Sequence, residues 1–353
     1  MGDAGPPTPD ALLQQEAAVI DAEIGADQAP PLREVKVLVT GFGPFKSFLI
    51  NPSWLIASAL PDELYPSTPS DSKSPPYKIT LIVHPSAIRV SYSTVSTVVP
   101  ALLATHNPDF ILHIGMAGGR DCYSLETRGH RDNYRIKDVD DADGMTWGEQ
   151  RWKREGIPEI LYVGWNEAEV LRRWEDGVKT GLAARGFLGR GEMQRAIEQQ
   201  QLNVPPMPAR GNGPMNLMWG TGNVPVSPTK ADEHRRRAVV KLSADAGRFL
   251  CEYALFESLS RRWVEARNIE TVPTDRAERE TAQDAPGKVA FLHVPGWTGV
   301  EDINRGVMVA EEAIRALVGS WEDGYRRNGR VEAQAYTQQH SEEKGRVAAS
   351  FKA

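Results

Sequence analysis

One cysteine, one histidine and one glutamate, far apart in the chain, could together perform nucleophilic chemistry. Cys251 closes the stretch Ala244-Asp-Ala-Gly-Arg-Phe-Leu-Cys251, which follows the apolar run Val239–Ser243. Gly247 offers a tight turn there and places Cys251 in the first turn of a helix continuing to about Trp263. A helix N-terminus stabilises a thiolate, the reactive form of cysteine. His293 stands in Phe291-Leu-His-Val-Pro295, near the carboxyl end of another apolar run. Glu126 follows Arg120 by six residues in a charged stretch, Glu126-Thr-Arg-Gly-His-Arg-Asp132. A cysteine nucleophile needs a base beside it and a carboxylate that orients the base. These three residue types supply that set. Each also has a plainer reading: Cys251 as a small buried hydrophobe among Phe249, Leu250 and Leu255, His293 as a core residue, Glu126 as a solvated charge.

The elements that must position them can be read from hydropathy. The run Val35-Lys-Val-Leu-Val-Thr40 is typical of a buried parallel strand, and similar runs occur at Tyr77–His84, Phe110–Gly115, Ala238–Ser243 and Val289–Val294. Helix-like stretches lie between them, at Ser53–Leu60, Ser93–His106, Gly247–Trp263 and Arg305–Val318. In the last, Val309, Ala310, Ala313, Ile314 and Leu317 mark one face at helical spacing. Strands alternating with helices imply an α/β fold around a mainly parallel open sheet. Cys251, His293 and Glu126 then all map to strand ends of one sheet, where open α/β folds gather their ligands.

Two glycine-rich turns sit at such ends. Gly41-Phe-Gly-Pro-Phe45 follows the first strand but lacks the third glycine of a dinucleotide fingerprint, since position 46 is Lys. No phosphate-loop G-K-[ST] follows either. Phe42, Pro44 and Phe45 suit an apolar ring better than a pyrophosphate, although a tight turn with core phenylalanines reads equally well. Asn51-Pro-Ser-Trp54 is a helix start in which Asn51 or Ser53 caps and Pro52 opens the first turn. The second turn is Gly115-Met-Ala-Gly-Gly-Arg120. His113 reads as strand core and His130 as solvent-facing.

Composition narrows the classes. The chain has 353 residues with 41 Lys plus Arg against 47 Asp plus Glu, a formal charge of −6 that argues against nucleic-acid binding. No apolar run approaches a membrane span. The first 34 residues hold seven acids, one Arg and five Pro, and read as an arm without a secretory signal, giving a cytosolic expectation. With two cysteines, Cys122 and Cys251, neither a disulfide framework nor a Cys-rich zinc site is expected, and Cys122 reads as a buried hydrophobe. Residues 186–230, with seven Gly and six Pro, read as an insertion, 265–287 as a shorter excursion and 322–353 as a polar tail around a body spanning 35–321.

Taken together, these blocks resemble the type I pyroglutamyl peptidases, a family of cysteine peptidases. Its members carry G-F-x-P-F after the first strand and N-P-S-W at the interval seen from Phe42 to Asn51. They carry G-Q-A-G-G-R with a catalytic glutamate at the Arg120-to-Glu126 interval. They also carry A-G-x-F-x-C, matched by Ala246–Cys251, and F-x-H-x-P, matched by Phe291–Pro295. The resemblance implies a single-domain sandwich of the phosphorylase/peptidyl-hydrolase type, helices on both faces of the sheet. It implies hydrolysis after an N-terminal pyroglutamate through Cys251, His293 and Glu126. The lactam would lie near Phe42, Phe45, Asn51 and Met116. No metal or cofactor is implied, the partners are N-terminally pyroglutamylated peptides, and a homo-oligomer stays open.

The chain departs from the family pattern at several points. Met116 replaces the usual glutamine, Glu252 the asparagine after the nucleophile, Lys46-Ser47 a glycine pair, and Glu-Thr-Arg-Gly-His-Arg the usual E-R-V-A-I-N. A weak or inactive relative that binds peptides or partners is therefore the alternative reading. A nucleotide-binding oxidoreductase and a redox sensor are weaker ones, for want of a full fingerprint and of a C-x-x-C pair.

Overall fold

A computed structural model describes residues 32–66, 76–187, 229–270, 285–327 and 329–330. The arm, the insertion, the excursion and the tail read from composition lie largely outside these residues. The strands are β1 (Arg33–Gly41), β2 (Glu63–Leu64), β3 (Tyr77–Val83), β4 (Phe110–Met116), β5 (Tyr123–Glu126), β6 (Arg128–His130), β7 (Ile160–Tyr162), β8 (Val240–Ser243) and β9 (Val289–Val294), with a small closing pair β10 (Tyr325–Arg326) and β11 (Gly329–Arg330). The main α-helices are α1 (Pro52–Ser58), α2 (Tyr92–His106), α3 (Gln150–Arg154), α4 (Glu167–Ala184), α5 (Lys230–Arg237), α6 (Leu250–Glu270) and α7 (Val300–Glu322).

Seven strands form one sheet in the order β2-β3-β1-β4-β9-β5-β8. β3, β1, β4 and β9 run parallel, as the unbroken apolar runs predict. The central strands β4 and β9 are covered on both faces and buried at nearly every position, whereas β3, nearer the edge, alternates buried with half-buried residues. Val35, Val37 and Val39 pack beneath α1, α4 and α7, while Leu38 and Ile111 pack beneath α2 and α6. Each such aliphatic side chain removed from water contributes about 1.5–3 kcal/mol. α7 is the most enveloped helix, with Met308, Val309, Ala310, Ala313 and Val318 all fully buried. Among the described residues no helix is long and apolar enough to cross a membrane.

The sheet is mainly parallel as expected but turns antiparallel at both edges, at the two-residue β2 on β3 and at β5 on β9. β5 pairs antiparallel with β9, and β8 is parallel to β5, so these two strands run against the other four long ones. Residues 117–122 turn the chain back past the end of β9. Glu126 therefore does not share a carboxyl edge with His293, as the strand-end reading supposed. It reaches that histidine diagonally across an antiparallel rung, because Ser124 is the register partner of His293 and Glu126 lies two residues further on the same face. β5 was not legible as a strand: it has four residues and ends in the charged run.

Helix starts follow from local chemistry. Asn51 caps α1 by accepting the Ser53 N–H, with Pro52 opening the helix. Asn166 caps α4, whose first turn carries Glu167 and Glu169 against the helix dipole. Gly41 ends β1 where α1 crosses: a Cβ there would lie 2.8 Å from the Ser53 carbonyl oxygen and from Trp54 Cα. The first glycine of the Gly41–Phe45 turn is thus required by close packing, independently of any ligand.

Candidate active site

The face of the sheet covered by α6 carries Ser124, Glu126, Phe291 and His293. α6 begins at Leu250, so Cys251 stands in its first turn, half-buried, as the turn at Gly247 predicts. The first N–H groups of a helix have no acceptor within it. Cys251 lies against Gly115 near the carboxyl end of β4. A Cβ at Gly115 would be 3.0 Å from Cys251 Sγ and 2.5 Å from Phe291 Cζ, and Gly115 is the register partner of His293. Gly115→Ala is expected to displace both the thiol and the Phe291 ring, costing about 1–3 kcal/mol of stability. A larger proportional loss of activity should accompany it. Paired melting and turnover measurements on that variant check both.

His293 is 3% exposed and Glu126 fully buried. The His293 Nδ1–H donates to Glu126 Oε1 at 2.7 Å, and Arg120 Nη1 donates to the same oxygen at 2.6 Å. Arg120 also donates through Nη2 to the Asp245 carbonyl at 2.7 Å, tying the carboxylate to the turn that leads to Cys251. Burial opposes charge on His293. The charge of Cys251 and its hydrogen bond, then the bond to Glu126, outweigh burial and raise the imidazole from 6.5 to about 9. Burial likewise pushes Glu126 up, but the hydrogen bond and charge of His293 outweigh it and hold the carboxyl below its usual range. His293 and Glu126 thus form a buried, hydrogen-bonded pair, with the half-buried Cys251 on the other side of the imidazole.

The aromatic wall is built from both halves of the chain. Phe45 stacks on Phe249 at 4.9 Å between ring centroids, two residues before the thiol. Phe291 lies 4.8 Å from the His293 ring and 6.4 Å from Phe42. Phe42 is buried beneath this wall rather than lining its open side. Met116 ends β4 opposite Val294, one residue from His293. Asn51 is committed to shape: Nδ2 donates to the Gly43 carbonyl at 2.9 Å, while Oδ1 accepts from Ser53 N–H and Oγ–H. One amide hydrogen of Asn51 is left to give.

His113 is strand core as read, wedged between the Thr40 and Ser258 hydroxyls at 2.7 Å each, and burial lowers it to about 4. Cys122 is buried as read. Two other readings are corrected. Glu126 is not a solvated charge, because the antiparallel β5 carries it under α6. His130 is not solvent-facing, because β6 turns it onto the buried Glu252 with a 2.6 Å contact from Nδ1. Arg120 as the second partner of Glu126 was visible only as part of a glycine turn. Its partners Glu126 and Asp245 are brought to it by pairing of distant strands. Among the described residues no group of three His, Cys, Asp or Glu is arranged to hold a metal ion.

Comparison with known proteins follows the same lines. Residues 35–150 match the pyroglutamyl peptidase family. Human pyroglutamyl-peptidase 1 is 34% identical over 99 residues, 28% of this chain and 42% of that protein. A pyrrolidone-carboxylate peptidase of Staphylococcus aureus is 35% identical over 106 residues, 30% of this chain and 43% of the relative. The matched stretch thus spans about two fifths of these relatives' length. The solved pyrrolidone carboxyl peptidase of Thermococcus litoralis superposes over 82% of this chain and 95% of its own, with a TM-score of 0.45 and 15% identity. The matched segment bears Phe42, Asn51, Arg120 and Glu126, and Cys251 and His293 meet it in space from beyond its end. Through residues 35–150 the chain is similar to the pyroglutamyl peptidases.

Proposed function

We propose that this chain is a cysteine peptidase that hydrolyses the bond after an N-terminal pyroglutamate. The observation that carries the reading is the buried His293–Glu126 pair with the half-buried Cys251 against it, Glu126 lying in a segment that matches pyroglutamyl peptidases. Cys251 thiolate attacks the pyroglutamyl carbonyl, and the carbonyl π electrons move to oxygen. N–H groups of the first turn of α6 face the developing oxyanion. His293, holding the proton, delivers it to the leaving amine as the C–N bond breaks and a thioester forms. It then takes a proton from water as the water attacks the thioester, and returns it to the departing sulfur. Glu126 holds the ring by Nδ1 and stabilises its positive charge throughout.

Ring selectivity follows from desolvation. The lactam is flat and uncharged, so it can lie against Phe45 and Met116 at modest cost. A free N-terminal glutamate would bring an ammonium and a carboxylate into the same place, each expensive to strip of water. The test compares amides of pyroglutamate, proline and glutamine carrying one fluorogenic leaving group. Turnover confined to the pyroglutamyl compound supports the assignment. Equal or better turnover of the prolyl or glutaminyl compound would remove it.

The raised imidazole sets a pH dependence. Because His293 titrates above its ordinary 6.5, the pair's contribution to folding is complete below that value and is lost as pH rises through about 9. Turnover should fall on the same basic limb, since the leaving amine then finds no proton. In Cys251→Ala the strongest influence raising the imidazole is gone, and His293 should titrate at lower pH. Proton NMR of the ring in the two forms reads that difference. An unchanged titration would show that thiol and imidazole do not interact.

A further inference from the structure

Glu252 follows the nucleophile directly and is the most completely engaged carboxylate near it. It is fully buried. Its Oε1 accepts from the His130 backbone N–H at 3.1 Å, His130 Nδ1 at 2.6 Å and Arg248 Nη1 at 2.9 Å. Its Oε2 accepts from the Arg248 backbone N–H and from Arg248 Nη1, both at 2.8 Å. Arg248 has a left-handed backbone, with φ 48°, a conformation that disfavours residues with a Cβ. A strained residue persists only when its surroundings over-determine it. Here one side chain grips both its main chain and its guanidinium.

The placement gives this grip a consequence for chemistry. Residues 126–130 run continuously from Glu126 to His130, and residues 248–252 run from Arg248 through Cys251 to Glu252. Glu252 joins the two segments at their far ends, as His293 joins Glu126 and Cys251 at their near ends. Arg128 adds a tie, donating from Nε to the Ala244 carbonyl at 2.9 Å. We infer that Glu252 is a positioning residue: by clamping Arg248 and His130 it fixes the first turn of α6, so that Cys251 and its neighbouring N–H groups meet the His293–Glu126 pair. The substitution of glutamate for the family's asparagine is, on this account, a built feature of the site, matched by His130 and Arg248. The effect on turnover rests on the peptidase reading; the effect on the thiol does not.

The test uses Glu252→Gln, His130→Ala and His130→Asn in the full chain, with melting curves to establish folding. Two quantities are read: kcat and KM on a pyroglutamyl amide, and the rate of iodoacetamide alkylation at Cys251, mapped by peptide mass. Misplacement of a reacting group by a fraction of an ångström to an ångström lowers rates by up to about 10²-fold. Folded Glu252→Gln and His130→Ala should therefore lose about 10- to 100-fold in kcat with KM little changed. Alkylation should slow in parallel. His130→Asn, whose amide can replace the Nδ1 donor, should recover most of both. The inference is overturned if folded variants keep wild-type kcat and alkylation rate, if KM alone moves, or if His130→Asn is as impaired as His130→Ala. Should Glu252→Gln fail to fold, the His130 pair decides. A wild type without turnover would refute the peptidase reading, and the alkylation rates would still decide the role of Glu252.

Discussion

Cys251→Ala should lose pyroglutamyl-amide turnover by at least about 10⁴-fold while keeping its fold. The residue stands in the first turn of α6 and is half-buried, so removing its sulfur opens no large cavity, and alanine is a strong helix former. Groups that act as a unit are grossly non-additive, so adding His293→Ala to Cys251→Ala should cost little more. Circular dichroism with melting establishes the fold, and fluorophore release measures the rate. A folded Cys251→Ala chain turning over within tenfold of wild type would contradict the assignment of the nucleophile.

Glu126→Gln should lower kcat by about 10²- to 10⁴-fold. The amide preserves shape and one acceptor oxygen, and removes the charge. His293 and Arg120 now both donate to the same carboxylate oxygen, Oε1. With glutamine, one of them faces a neutral acceptor and the other can face an N–H. The imidazolium loses its buried counter-charge, so the basic limb of activity should move below about 9. Burial of a charge is sustained only by pairing, and the Arg120 guanidinium also loses its partner, so a lower melting temperature should accompany the loss. A variant with wild-type kcat and an unshifted limb would show that Glu126 is structural only.

β1, β4 and β9 were legible because a strand covered on both faces is apolar throughout, and no other element writes that pattern so briefly. Cys251 in a first helical turn was legible from Gly247, and His113 in the core from its apolar neighbours. α6 extends to Glu270, beyond the expected end at Trp263. The antiparallel β5 was not legible. Its four residues carry too little hydropathy signal, and its direction is fixed by pairing with β9 and β8 from the far end of the chain. The same non-local pairing hides the burial of Glu126, the contact of His130 with Glu252 and the double duty of Arg120. Charged residues that end up buried read as solvated ones until the partner that neutralises them is known.

Cys122 is buried and Cys251 half-buried, which makes one measurement decisive. The reduced wild-type chain is titrated with iodoacetamide while fluorophore release from a pyroglutamyl amide is followed, and labelling of each thiol is mapped by peptide mass. The account predicts turnover that falls in strict proportion to the fraction of Cys251 alkylated, with the buried Cys122 unlabelled throughout. Absence of turnover from the folded, reduced chain, or full turnover after complete alkylation of Cys251, would contradict it.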